Sequence, residues 1–144
     1  MKKLPYILFA WLLLGIASFA RAETADLEAY LIYASNDPAP LDYHLDAVIP
    51  KLRSVLKFQN YELMGQGGGM VNSPGETTID LGKGHSLEVK VKREKGERFR
   101  VEVRWIHGGK NMVSTAATVS RNQPLILGGV KHANGNLVVT LTVK

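Results

Sequence analysis

The sequence predicts an α+β domain: one amphipathic helix after the first strand, then a mostly antiparallel β-sheet, or a small sandwich, of about six further strands. Three observations carry that expectation. Leu27–Tyr33 alternates with a period of two. A stripe of apolar residues at helical spacing follows between Leu45 and Leu56. From Phe58 onward the helical period stops, and short alternating segments separated by turn residues run to Val143.

In Leu27–Tyr33 the residues Leu27, Ala29, Leu31 and Tyr33 share one face, and Asn36-Asp37-Pro38-Ala39-Pro40 breaks the strand. Asp42 is placed as a helix N-cap. Leu45, Val48, Ile49, Leu52, Val55 and Leu56 then recur every three or four residues, with Lys51, Arg53 and Lys57 late in the segment, where cations suit the helix dipole. Pro50 lies inside this pattern. It either kinks the helix or starts a second segment, since proline is accepted in a first turn. Tyr61–Met64 begins a strand that runs into Gly65-Gln66-Gly67-Gly68-Gly69, and Ile79 and Leu81 mark another, closed by Gly82-Lys83-Gly84. Ser86–Lys92 and Arg98–Trp105 alternate strictly, and Met112–Ser120 is rich in Thr and Val. Pro124–Leu127 and Leu137–Val143 complete the set, joined across Asn134-Gly135, a hairpin signal.

The N-terminus says where the chain goes. Lys2 and Lys3 precede an apolar run to Phe19, and Ala20-Arg21-Ala22 offers small residues before Glu23. That is the layout of a secretory signal peptide occupying residues 1–22, in a style that suits bacterial export. The alternative is an uncleaved anchor, but spanning helices need about 20 apolar residues, and this run is shorter and contains Pro5. Cleavage leaves residues 23–144 as a single α+β domain without a membrane span, in the periplasm or secreted. The chain has no cysteine. Disulfides, thiol nucleophiles, Cys-based metal sites and lipoprotein anchoring are thereby excluded, so the domain relies on its core alone.

Losing Lys2, Lys3 and Arg21 lowers the net charge from +5 to +2, and what remains is polarised: Glu23–Gly82 carries nine acids and three bases, Lys83–Lys144 twelve bases and four acids. Such asymmetry marks either a partner surface or two halves that attract each other in the fold. The segment 86–105 is the most distinctive. Leu87, Val89, Val91, Phe99, Val101, Val103 and Trp105 point to one face, and the charged residues point to the other. A loop of Glu94-Lys95-Gly96 sets Lys90 opposite Arg100 and Lys92 opposite Arg98; a loop of Lys95-Gly96-Glu97 sets Lys90 opposite Glu102 and Glu88 opposite Arg104. Turn chemistry favours the first. The candidate binding residues are Lys90, Lys92, Arg98, Arg100 and Arg104, for an anionic envelope polymer or an acidic protein surface. The competing reading is a solvated outer face with interleaved salt bridges. Nucleic acid is not expected as a partner, because the exposed face lacks aromatics for base stacking.

No motif for chemistry emerges. The glycine run lacks the Lys-Ser/Thr ending and following helix of a phosphate loop, and it reads as a flexible connection or a close backbone approach. His44, His85, His107 and His132 have no metal-ligand spacing, although His85 and His107 could meet near Asp80. Ser86, Ser114 and Ser120 sit in strand-like contexts, and Asp42 and Asp46 look like capping residues. The expectation is therefore no enzyme, no cofactor and no metal.

Thr118-Val119-Ser120-Arg121-Asn122-Gln123-Pro124-Leu125-Ile126-Leu127-Gly128-Gly129-Val130 resembles the strand–turn–strand signature of bacterial secretins, which carry a polar turn, an apolar strand and a Gly-Gly pair. The similarity covers the last 27 residues at most. A secretin continues into a much longer channel-forming region, whereas here one short hairpin follows Gly129. The resemblance implies a related β-module, or a small envelope protein that associates with such machinery. The layout also resembles small exported bacterial proteins of unknown function. The expected role is protein–protein contact in the cell envelope; the alternative is a binding module for acidic envelope polymer.

Overall fold

A computed structural model describes residues 23–37 and 43–144. Residues 1–22, read as a signal peptide, and Asp42, read as a helix cap, lie outside the described residues. Eight strands follow in order: β1 (Glu23–Ser35), β2 (Asn60–Ser73), β3 (Gly75–Gly82), β4 (His85–Arg93), β5 (Arg98–His107), β6 (Lys110–Ser120), β7 (Leu125–His132) and β8 (Gly135–Val143). They form two four-stranded antiparallel sheets, ordered β2-β1-β8-β7 and β3-β4-β5-β6. The α+β expectation is overturned: about 70% of the described residues are in strands and 8% in helical turns.

The helix falls short for a local reason. The apolar stripe splits into a 3₁₀ turn, Tyr43–Leu45, and a seven-residue helix α1, Ile49–Val55. Pro50 sits in the first turn of α1, so it starts a second segment rather than kinking one long helix. The stripe still buries its apolar face. Leu45, Val48 and Leu52 pack with Ile32, Ala34, Tyr61 and Val138 against the outer side of the first sheet. A lid of two short turns thus takes the place of a helical layer. The layer opposite the first sheet is the second sheet.

The principal core lies between the sheets. Leu27, Ala29 and Leu31 of β1 and Leu137, Val139, Leu141 and Val143 of β8 meet Leu87, Val89 and Val91 of β4 and Phe99, Val101, Val103 and Trp105 of β5. The inward rows expected from the alternation are the buried ones. β1 is buried on both faces in its second half, because Ile32 and Ala34 lie under the lid while Leu31 faces the core. This central position follows from pairing: β1 binds β2 on one side and β8 on the other.

The two lateral seams of the sandwich differ. β2 passes close along β3, and β6 and β7 make far sparser contact. The glycine run explains the close seam. It is not a flexible connection but part of a 14-residue strand, in which Gly65 and Gly67 face inward. A Cβ on Gly65 would lie 1.9 Å from the Leu81 carbonyl oxygen, and one on Gly67 2.4 Å from that of Asp80. Only a residue without a side chain lets the two backbones approach so nearly. The Gly128-Gly129 pair has another cause. Gly128 pairs with Val138 and Val130 with Leu137, so Gly129 is the extra residue of a bulge, at φ 60°. The last hairpin turns at Ala133-Asn134, with His132 paired to Gly135; Gly135 is required by β1, since a Cβ there would lie 2.1 Å from the Ala34 carbonyl oxygen.

At one pole Arg121 closes the sandwich. Its guanidinium lies 5.1 Å from the centre of the Phe99 ring and donates to the Lys144 carbonyl at 2.7 Å. At the opposite pole the β3–β4, β5–β6 and β7–β8 turns gather, and the Gly108 N–H donates to the Gly84 carbonyl across two of them.

Candidate binding surfaces

All five sequence-predicted site residues, Lys90, Lys92, Arg98, Arg100 and Arg104, are exposed on the outer face of the second sheet. The register of β4 and β5 is not the one favoured by turn chemistry. Lys90 pairs with Glu102, Glu88 with Arg104 and Lys92 with Arg100, so the loop centres on Lys95-Gly96-Glu97. Opposite charges win over the turn with Gly96 at its last position at two of the three charged rows, as cross-strand pairing favours.

This register splits the five bases into two groups. Lys90 lies between Glu76 of β3 and Glu102 of β5, and Arg104 forms an ion pair with Glu88 at 3.1 Å. These rows border an open trough of about 810 Å³ whose far side is Ser114, Thr115 and Ala116 of β6. Lys92, Arg98 and Arg100 form the second group, toward the Arg121 pole. Lys92 and Arg100 face each other directly, and Arg100 and Arg98 pair onward with Thr118 and Ser120, which carry no charge. One contact between the oppositely charged halves of the chain falls inside this sheet, where Glu76 of β3 faces Lys90 of β4.

A second surface runs along the looser seam. Between α1, β6 and β7 lies a cleft of about 730 Å³ lined by Val55, Leu56, Val119, Pro124, Leu125 and Ile126, with Lys51 at its rim. Both strands that border it are sheet edges among the described residues: β6 pairs only with β5, and β7 only with β8. The segment 118–130 spans this seam as strand, turn and strand, crossing from one sheet to the other, so β6 and β7 do not pair as a hairpin. Among the described residues, Val55, 54% exposed, is one of two large apolar side chains that stand out to solvent; the other, Met70, is on β2 across the molecule. The pattern of apolar residues did not single out this cleft, because its walls come from three segments whose proximity only the fold creates.

His85 and His107 do meet: they are opposite each other in the β4–β5 register and their rings stack at 3.9 Å. Asp80 does not complete a metal site with them, since its Oδ1 accepts the Gly82 N–H at 2.8 Å. Among the described residues, no three His, Cys, Asp or Glu side chains are grouped to hold a metal ion. Ser86 and Ser114 lie on strands, with Ser114 bonded to Asn111. No described helix is long and apolar enough to cross a membrane.

Comparison with protein families, with curated proteins and with solved structures returns no match to this chain.

Proposed function

We propose that the protein is an exported bacterial envelope component, periplasmic or secreted, that works by protein–protein contact rather than by catalysis, with the β6/β7 seam as its contact surface. The observation that carries this reading is the inequality of the two seams. One is closed by glycines against a neighbouring backbone; the other leaves two unpaired strand edges beside an apolar cleft. An extended segment of a partner laid there gains main-chain hydrogen bonds from an edge and places alternate side chains in the cleft. The N-terminal segment 1–22 supports export, and the likeness of residues 118–130 to secretins points to a partner in envelope secretion machinery.

The test is native co-purification after envelope solubilisation. Val55→Glu puts a charge into the cleft at an exposed position and is expected to release the partner. Met70→Glu, equally exposed on the far seam, is expected to leave it bound. A protein that stays monomeric and partnerless under every solubilisation condition, or equal retention by both variants, would overturn the reading.

A second reading rests on a separate observation, the direct opposition of Lys92 and Arg100. Like charges facing across strands are unfavourable, and an anionic polymer would relieve them. The five-residue basic site then contracts to Lys92, Arg98 and Arg100, because Lys90 and Arg104 are matched by carboxylates in register. Charge reversal at Arg98 and Arg100 is expected to abolish retention on an anionic polymer column at low salt, where exposed charges are least screened. Reversal at Arg104 is expected to leave most of it. Unchanged retention in the Arg98/Arg100 variant sinks this reading.

A further inference from the structure

Trp105 is wholly buried in the core, and its indole N–H donates to His85 Nδ1 at 3.0 Å. An indole nitrogen only donates, so His85 Nδ1 must accept, which it does only in the neutral imidazole with its proton on Nε2. His85 is itself 7% exposed. The groups around it are basic side chains. His107 of β5 stacks on its ring, with the planes 7° apart. His132 at the end of β7, its ring edge-on to Tyr33 of β1, and Lys83 of the β3–β4 turn also act on it. The nearest acid on β3, Asp80, is turned to the Gly82 N–H, and Lys110 lies beside His107 in register. Among the described residues, no carboxylate is placed to welcome a proton on His85.

We propose that the His85–Trp105 pair is a proton-operated latch on this pole of the sandwich: a proton taken up at His85 Nδ1 removes the acceptor from the indole N–H, sets two donors against each other and frees the three turns gathered there. The step is a simple protonation from solvent; no bond other than the hydrogen bond breaks. Burial, then the positive neighbours His107, His132 and Lys83, hold the His85 imidazole below the ordinary histidine value of 6.5. The sign follows. The unfolded chain takes up this proton more readily than the folded one, so the contribution of the latch is complete above about pH 6.5 and declines as pH falls below it.

The reporter is built in, because Trp11 and Trp105 are the two tryptophans. The test uses the protein as recovered from the producing cell, carrying Trp11→Phe so that Trp105 alone emits. Tryptophan emission and far-ultraviolet circular dichroism are followed together from pH 8 to pH 4.5. The latch requires a change in Trp105 emission with a midpoint below 6.5 while the sheet signal persists. His85→Gln, whose amide oxygen accepts the indole N–H without titrating, is expected to abolish that change. His107→Gln, which removes one positive neighbour, is expected to move the midpoint upward. Constant emission over the range, emission that changes only together with loss of the sheet, or a transition that survives unaltered in His85→Gln overturns the proposal. Should His85→Gln fail to fold, an unmoved midpoint in His107→Gln overturns it instead.

Discussion

Trp105→Ala is expected to destabilise the sandwich by about 3–5 kcal/mol, as removal of a large buried aromatic does. The position explains the size of the effect. Trp105 has no exposed surface, and it sits in the inward row of β5 among the side chains that join the two sheets. Truncation leaves a cavity that backbone relaxation fills only in part, because β5 is held on both sides by β4 and β6. It also strands His85 Nδ1 without its donor. Trp105→Phe separates these losses in part: it keeps much of the packing while removing the indole N–H and the volume of its five-membered ring, and is expected to cost less. Urea denaturation of the three proteins, read as midpoint shifts at equal slope, measures both. With whole domains stable by only about 5–15 kcal/mol, the alanine variant is expected to lose a large share of the total. A midpoint within experimental error of the parent would show that Trp105 does not hold the sheets together.

Gly65→Ala is expected to be nearly as damaging for one added methyl group, at the upper end of the about 1–3 kcal/mol that overpacking costs. A Cβ there would lie 1.9 Å from a main-chain oxygen of Leu81, and a strand backbone cannot swing aside as a side-chain tip does. The seam between β2 and β3 has to part, and with it the alignment of the first sheet on the second. Gly65→Ala combined with Gly67→Ala strikes the same seam twice, at the Leu81 and Asp80 carbonyls, and is expected to shift the denaturation midpoint further than either alone. Gln66→Ala, between them and exposed, is expected to stay within about 0.5 kcal/mol of the parent. Equal midpoints for Gly65→Ala and Gln66→Ala would mean that the close approach is not structural.

The two variants also mark where the sequence was readable and where it was not. The inward face of β5, Trp105 included, follows from strict alternation, since a strand with one wet face writes its orientation in its residues. The strand through Gly65–Gly69 was hidden because glycine is poor in strands and contributes no alternation to see. A period-two trace was present all the same: glycine recurs at 65, 67 and 69, and two of these meet β3 or face it from the inner side of β2. The helical stripe misled in the other direction. Six apolar residues at helical spacing are satisfied equally by one long helix or by two short turns laid on a sheet, and Pro50 tips the balance to the second.

The candidate surfaces divide in the same way. The basic residues of β4 and β5 were legible as one outward row, but which of them are matched by acids depends on a two-residue difference in register. The strand sequences permit both registers, and the pairing of Lys90 with Glu102 and Glu88 with Arg104 is what separates Lys92, Arg98 and Arg100 as a group. The β6/β7 cleft and the His85–Trp105 pair had no common sequence signal, as their parts come from segments far apart in the chain.

Residue order therefore settles local matters in this protein: the absence of cysteine and the alternation that assigns inner and outer faces. Those properties depend on neighbours within a few residues. The division of eight strands into two sheets, the glycine-closed and open seams, and the burial of a neutral histidine against the core tryptophan were decided by tertiary structure. Each requires side chains or backbones distant in sequence to come within a few ångströms, and local alternation specifies which face a residue presents but not what it meets there.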